Sequence, residues 1–220
     1  MLDAREQIRL GITEIVSDAW LQQIRSHIER HIGRTDCALA GDPGQGTADV
    51  LHVQPVHSRP YHTLITAGMS SVAMHVPPDV SAPQRLELMM TLPEGWKPAD
   101  DWAPRLLQSL GKLPRERESW LGWGHIVPNG DPPQPLAPHT QLCGVIIAPS
   151  LLVPVAFYEL DIDGERVAFY SVIPLYREEL ELHARTGMAA LLERLVHNDI
   201  NDVVFLKRKN VARKKRFGFF

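Results

Sequence analysis

The chain has few of the features that would assign it quickly. Only two of its 220 residues are cysteine, Cys37 and Cys143, and they share no motif spacing. Nothing in them suggests a disulfide framework: the two could in principle pair, but a reducing compartment fits, with Cys143 expected as a buried free thiol in the run Leu142-Cys143-Gly144-Val145-Ile146-Ile147. The longest uncharged apolar stretch, 142–158, is interrupted by Pro149 and Pro154, too short and too broken for a membrane span. The opening Met1-Leu2-Asp3-Ala4-Arg5-Glu6 is charged and lacks the apolar core of a secretory signal, so a cytoplasmic setting is expected. No internal repeat and no coiled-coil heptad is visible. Aromatics make up 7% of the residues, yet two of the five tryptophans, Trp120 and Trp123, fall within four positions.

Acidic and basic residues nearly cancel, at −3 overall, but they are unevenly placed. Seven basic residues and no acid lie in the last fourteen positions, from Lys207 to Arg216, leaving 206 residues with 16 basic and 26 acidic groups, a balance of −10. An acidic body therefore carries a basic end, suited to nucleic acid or to lying against the body itself.

Hydrophobic content of 44% with 22% charged residues describes a globular chain of this length. Ile8, Ile12, Ile15, Ala19, Ile24 and Ile28 recur at helical spacing, which predicts an N-terminal helix over 3–31 that stops at Gly33. Gly41-Asp42-Pro43-Gly44-Gln45-Gly46 reads as a flexible connector. Strands are expected at 50–53, 61–66, 85–92, 142–148, 155–160, 166–173 and 203–206, with a hairpin turn at Asp161-Ile162-Asp163-Gly164. Helices are expected over 100–113, with Asp101 as cap and Pro104 in the first turn, and over 178–197. The Pro-, Gly- and Trp-rich segment 114–141 is the main irregular region. Irregular alternation of strands and helices predicts a mixed sheet with packed helices, α+β in character. The expected organisation is an N-terminal helix (1–35) packed on a single globular unit (48–220).

Candidate catalytic patterns are incomplete. His27 and His31 stand one helical turn apart, but Glu29 is one place late for a zinc-protease motif and no third ligand is near, so a solvated helix face is expected. The 41–46 loop lacks the Lys-Ser/Thr of a phosphate loop and leads into a strand. Gly68-Met69-Ser70-Ser71 is followed by Val72, which breaks the Gly-x-Ser-x-Gly nucleophile pattern and leaves a structural turn. Glu178, Glu179, Glu181 and His183 at a helix start are explained by the helix dipole. No metal or cofactor is called for.

The segment Trp120-Leu121-Gly122-Trp123-Gly124-His125 has two readings. Tryptophan is enriched at binding hot spots, and glycines let a partner's backbone come close. The same tryptophans can equally plug a seam in the core.

Six segments, in order, resemble the bacterial suppressor-of-fused-like domain. They are Thr66-Ala67-Gly68-Met69-Ser70; Met74-His75-Val76-Pro77; Glu87 through Trp96; Trp120 through His125; Phe169 through Glu179; and Arg208-Lys209-Asn210-Val211, with Phe217-Gly218-Phe219-Phe220 at the end. The resemblance runs from about His52 to the last residue. It implies a sandwich of sheet and helices and a role in holding other proteins. Animal relatives sequester a transcription factor by clasping an extended peptide, and bacterial relatives resemble antitoxins or immunity proteins paired with toxins. Animal members carry an acid immediately before the histidine matching His125, where this chain has Gly124, so only the clasping mode carries over. The basic end, resembling the family's own, then belongs to the fold.

The resulting expectation is a non-enzymatic, cofactor-free protein-binding module of the antitoxin or immunity type. Trp120, Trp123, Gly124 and His125 would form its protein-binding site, and the acidic body suits a basic target. The alternatives are a hydrolase-like enzyme using His125 with Glu87 or Glu179, and a nucleic-acid-associated regulator acting through the basic end.

Overall fold

The computed structural model describes residues 4–42 and 45–213, with the side chains of the first helix from Asp18 onward. The described residues form an eight-stranded mixed sheet in the order β1-β2-β3-β4-β8-β6-β5, with β7 paired to β8 off that path. The strands are β1 (Thr35–Leu39), β2 (Asp49–Val53), β3 (Tyr61–Ala67), β4 (Arg85–Pro93), β5 (Ile126–Pro128), β6 (Leu142–Ala148), β7 (Glu159–Ile162) and β8 (Glu165–Tyr176). Helices α1 (Ala4–His31), α2 (Trp102–Glu116) and α3 (Arg177–His197) complete the fold. Every pairing is antiparallel except β4 with β8, which run parallel from Arg85↔Val167 to Met89↔Ser171.

Side-chain alternation along the strands sorts the core into two faces. Val50, Leu64, Leu88, Met90, Val145, Ile147 and Val172 meet Ala103, Leu107 and Leu110 of α2 on one face. On the other, Leu51, Val53, Ile65, Met89 and Phe169 meet Ile24 and Ile28 of α1, while Ile146 and Leu175 meet Leu182, Leu191 and Leu195 of α3. The mixed α+β architecture expected from the sequence is the one formed.

Several expectations need correction. The connector at 41–46 is not free: Gln45 and Thr47 donate to the Asp42 carbonyl, and the Asp49 carboxylate accepts from the Gly41 N–H, closing the β1–β2 turn. β1 and β5 were not expected; both are short and carry polar or proline residues that hide the strand pattern. Residues Val155–Phe157, expected in a strand, form a 3-10 turn, because Pro154 starts the segment at fixed φ and Phe157 is drawn into the core. The expected strand 203–206 reduces to a single bridge, Thr91↔Val203. α3 is broken at Gly187, whose φ of 79° and ψ of 176° are not helical. In α1 Ala19 is exposed, and the described inward face runs through Trp20, Leu21, Ile24, His27 and Ile28 instead. Ile8, Ile12 and Ile15 lie outside the described side chains, and Phe217, Phe219 and Phe220 outside the described residues.

The turn at Asp163-Gly164 has φ of 54° and 86°, the left-handed pair of a tight hairpin, and Asp161 accepts from the Gly164 N–H.

Candidate functional site

Three buried carboxylates organise the loops, and each binds backbone as well as side chains. Glu87 is fully buried and accepts from the Thr66 hydroxyl (2.5 Å), the Ser70 hydroxyl (2.6 Å) and the N–H groups of Gly68 and Ser70 (3.0 Å each). Burial pushes its pKa up, against the pull of these donors. Trp20 of α1 donates to the same Ser70 hydroxyl, so α1 is tied to this turn. Gly68-Met69-Ser70-Ser71 is therefore the structural turn its sequence suggested, with Ser70 inaccessible.

Asp202 accepts from the Ser150 and Ser171 hydroxyls and from the Leu151 N–H, fixing the turn after β6. Glu179 is fully buried against Arg208, with contacts of 2.7 and 2.5 Å, and accepts from the N–H groups of Tyr176 and Val211. The Tyr176 hydroxyl returns a bond to the Arg208 carbonyl, and the Arg208 guanidinium lies 5.1 Å from the Tyr176 ring centre. Glu178 pairs with Arg213 and Asn210. The acidic cluster at the start of α3 is thus a clamp on the basic segment, not merely a set of dipole-stabilised charges. Arg208 and Arg213 face protein carboxylates rather than a phosphate backbone.

Three histidines, His27, His52 and His62, sit in the core. His52 Nε2 and His62 Nδ1 are 2.8 Å apart, and His62 Nε2 meets the Glu94 carbonyl at 3.3 Å. A carbonyl only accepts, so the His62 Nε2–H donates to Glu94, and one proton bridges His52 Nε2 and His62 Nδ1. Trp96 packs edge-on against each. His27 corrects the solvated-face expectation. It is buried, stacks with Phe157 and Phe169 at 5.0 Å each, and meets the Phe157 carbonyl at 3.1 Å, with His31 edge-on to its ring. Burial lowers the pKa of both His27 and His52. Among the described residues no three His, Cys, Asp or Glu side chains converge on a common point for a metal ion.

The Trp120–His125 segment lies at the free end of the sheet. The Gly124 N–H donates to the Ile147 carbonyl, the Ile147 N–H to the His125 carbonyl, and the Asn129 N–H to the Cys143 carbonyl. By antiparallel alternation His125, Val127 and Asn129 turn their backbone groups toward β6, and Ile126 turns its N–H and C=O away from the sheet. β5 is an edge strand. Beside it a cleft of about 640 Å3 runs between β5, α2 and the first half of α3.

Trp120, Gly124 and His125 line that cleft, with the Trp120 and His125 rings 5.5 Å apart. Trp120 also packs on the α2-side core, as the seam-plugging reading expects. Trp123 does not line the cleft and stands 58% exposed next to it. Gly124 has φ of 84°, and a Cβ there would lie 2.4 Å from the Met188 sulfur. Met188, just past the Gly187 break, fills the space that a side chain at 124 would need. Sequence reasoning missed two lining residues, Arg117 and His183. Arg117 is hidden in the alternating run Arg115-Glu116-Arg117-Glu118, and His183 was grouped with the helix-start acids. Glu87 and Glu179 do not line the cleft, so no His125–carboxylate pair forms there.

The family model of the suppressor of fused protein (SUFU) matches residues 44–209. The chain belongs to the SUFU family. Among solved structures it resembles a SUFU homologue from Neisseria gonorrhoeae at 13% identity, with a TM-score of 0.67 over 89% of this chain and 98% of that one. It also resembles a chain of the Sufu–Fu complex, at 15% identity and a TM-score of 0.59 over 89% of this chain and 91% of that one. Drosophila Suppressor of Fused gives 15% identity and a TM-score of 0.59 over 87% of this chain, which spans 50% of the Drosophila chain. At these identities the likeness is one of fold. No curated protein matches by sequence. No described helix of this SUFU member is long and apolar enough to cross a membrane.

Proposed function

We propose that this SUFU-family chain is a cytoplasmic, non-enzymatic protein-binding module of the antitoxin or immunity type. It would inactivate a cognate toxin by covering the toxin's working surface. The docking site is the β5 edge with Trp120, Trp123, Gly124 and His125. One observation carries this reading: an edge strand with no strand on its outer side among the described residues borders a cleft of about 640 Å3 and has a tryptophan left 58% exposed at its rim. An exposed edge is a liability in a monomer unless something pairs with it. An extended segment of a partner would add to β5 through Ile126 and lay side chains into the cleft.

One structural relative is found in a Sufu–Fu complex, which favours binding over catalysis. The two carboxylates that an enzyme at His125 would call on are buried and fully bonded elsewhere, which counts against the hydrolase alternative. A toxin-sized reading frame beside the gene would supply the partner for the test. With that partner, Trp123→Ala is expected to weaken binding by about thirtyfold, the effect of losing an interface anchor of roughly 2 kcal/mol, with an unchanged melting temperature. His125→Ala should weaken it as well. Full affinity in both variants removes the cleft from the interface.

A further inference from the structure

The charge inside the cleft has the opposite sign to the chain as a whole. Its charged and titratable lining consists of Arg117, His125 and His183, without an aspartate or glutamate. Glu116 and Glu118 flank Arg117 in sequence, but neither lines the cleft, and Glu118 is thrown outward by a φ of 46°. Most basic side chains near α3 are committed, Arg208 to Glu179, Arg213 to Glu178 and Arg185 to Glu181. Among the described residues the Arg117 guanidinium has no carboxylate partner, and the His183 ring has none either. Arg117 is exposed at the position that caps α2 after Glu116, and His183 lines the cleft from α3. Arg117 gives one wall a positive charge and His183 gives the facing wall a hydrogen-bonding ring, with the β5 edge as the floor.

We propose that the cleft takes an extended, acidic peptide segment of a protein partner. Its backbone pairs with β5 at Ile126, its apolar side chains pack on Trp120 and α2, and its carboxylates meet Arg117 and His183. This rests on the docking reading above and fixes the sign of the partner at the point of contact. The balance of −10 over the chain's first 206 residues suits a basic target at long range. The cleft selects locally for acid, and short-range complementarity sets which segment registers there. The geometry explains why a glycine at 124 suits this ligand: any side chain there meets Met188, and an acidic one would also set a negative charge beside His125.

The test uses the full chain and arrays of capped peptides about eight residues long. β-branched residues occupy alternate positions, and either Glu or Lys fills the others. Binding is read by fluorescence anisotropy and by the emission of Trp123. Glu-bearing peptides should bind, weaken as salt rises, and lose roughly tenfold in affinity against Arg117→Glu, with a smaller loss against His183→Gln. Lys-bearing peptides should gain affinity for Arg117→Glu. Arg117 is exposed, so both variants should melt as the parent does. Stronger binding of Lys peptides to the parent overturns the proposal, as does an Arg117→Glu variant that still holds Glu peptides fully. If neither class binds, the acidic-segment proposal fails. The docking reading is then judged separately, by whether Trp123→Ala still costs affinity for the whole partner.

Discussion

At the scale of single residues, glycine and histidine carry most of the new information. Gly124 is fixed twice, by a left-handed backbone and by Met188 against its α-carbon. Gly124→Ala is expected to destabilise the chain by about 1 kcal/mol, chiefly from backbone strain, and to push the flexible end of Met188 aside at the cleft. A thermal melt beside a peptide titration checks both. His27 and His52 have lowered pKa values because burial disfavours their charged forms. The unfolded chain therefore binds protons more readily than the native one once the pH falls below about 6.5, and stability is lost on going further down. Glu87 acts in the opposite sense, since its raised pKa favours the native state as the carboxyl gains its proton. Denaturant midpoints between pH 8 and pH 5 should fall, and His52→Gln should show the shallower decline. None of this was visible beforehand. Both His52 and His62 sit at ordinary strand positions, and their pairing exists only once β2 and β3 are in register.

At the scale of elements, the clamp between α3 and residues 207–213 is the strongest local feature. Arg208→Ala leaves the buried Glu179 carboxylate without its counter-charge and should cost about 3–5 kcal/mol. Adding Glu179→Gln should recover part of that loss, since an amide is far cheaper to bury than a lone carboxylate. Urea unfolding of the two single variants and the double variant measures the coupling. Elements with strong period or clear turn chemistry could be read from the sequence almost to the residue, as at β6, β3, β4 and the Asp163-Gly164 hairpin, whereas α2 runs past its expected end at Leu113 through Pro114 to Glu116. Those defined by long-range partners could not. β5 is three residues held by β6, and the break in α3 at Gly187 sits inside an uninterrupted helical pattern. The cleft was half legible: Trp120, Gly124 and His125 announced themselves, whereas Arg117, capping the end of α2, and His183 of α3 are brought together only by the fold.

At the scale of the whole molecule, the described part of the C-terminal segment, residues 207–213, is part of the fold rather than an arm. Deleting residues 207–220 removes Arg208 and the anchoring bond to the Val211 N–H, and should lower the melting temperature by several degrees. A truncated chain that melts unchanged would return that segment to a free role.

The parallel pairing of β4 with β8 has a consequence during synthesis. β1 to β4 can zip together as a meander as soon as they are made, but the open side of β4 waits for a strand that begins at Glu165. At roughly 5–20 residues per second, a ribosome needs several seconds to cover that gap. For that interval the nascent chain presents the backbone of Arg85–Met89 as a bare sheet edge. A growing chain in this state is a natural client for holding chaperones, and its yield should depend on them more than the finished molecule's stability would suggest.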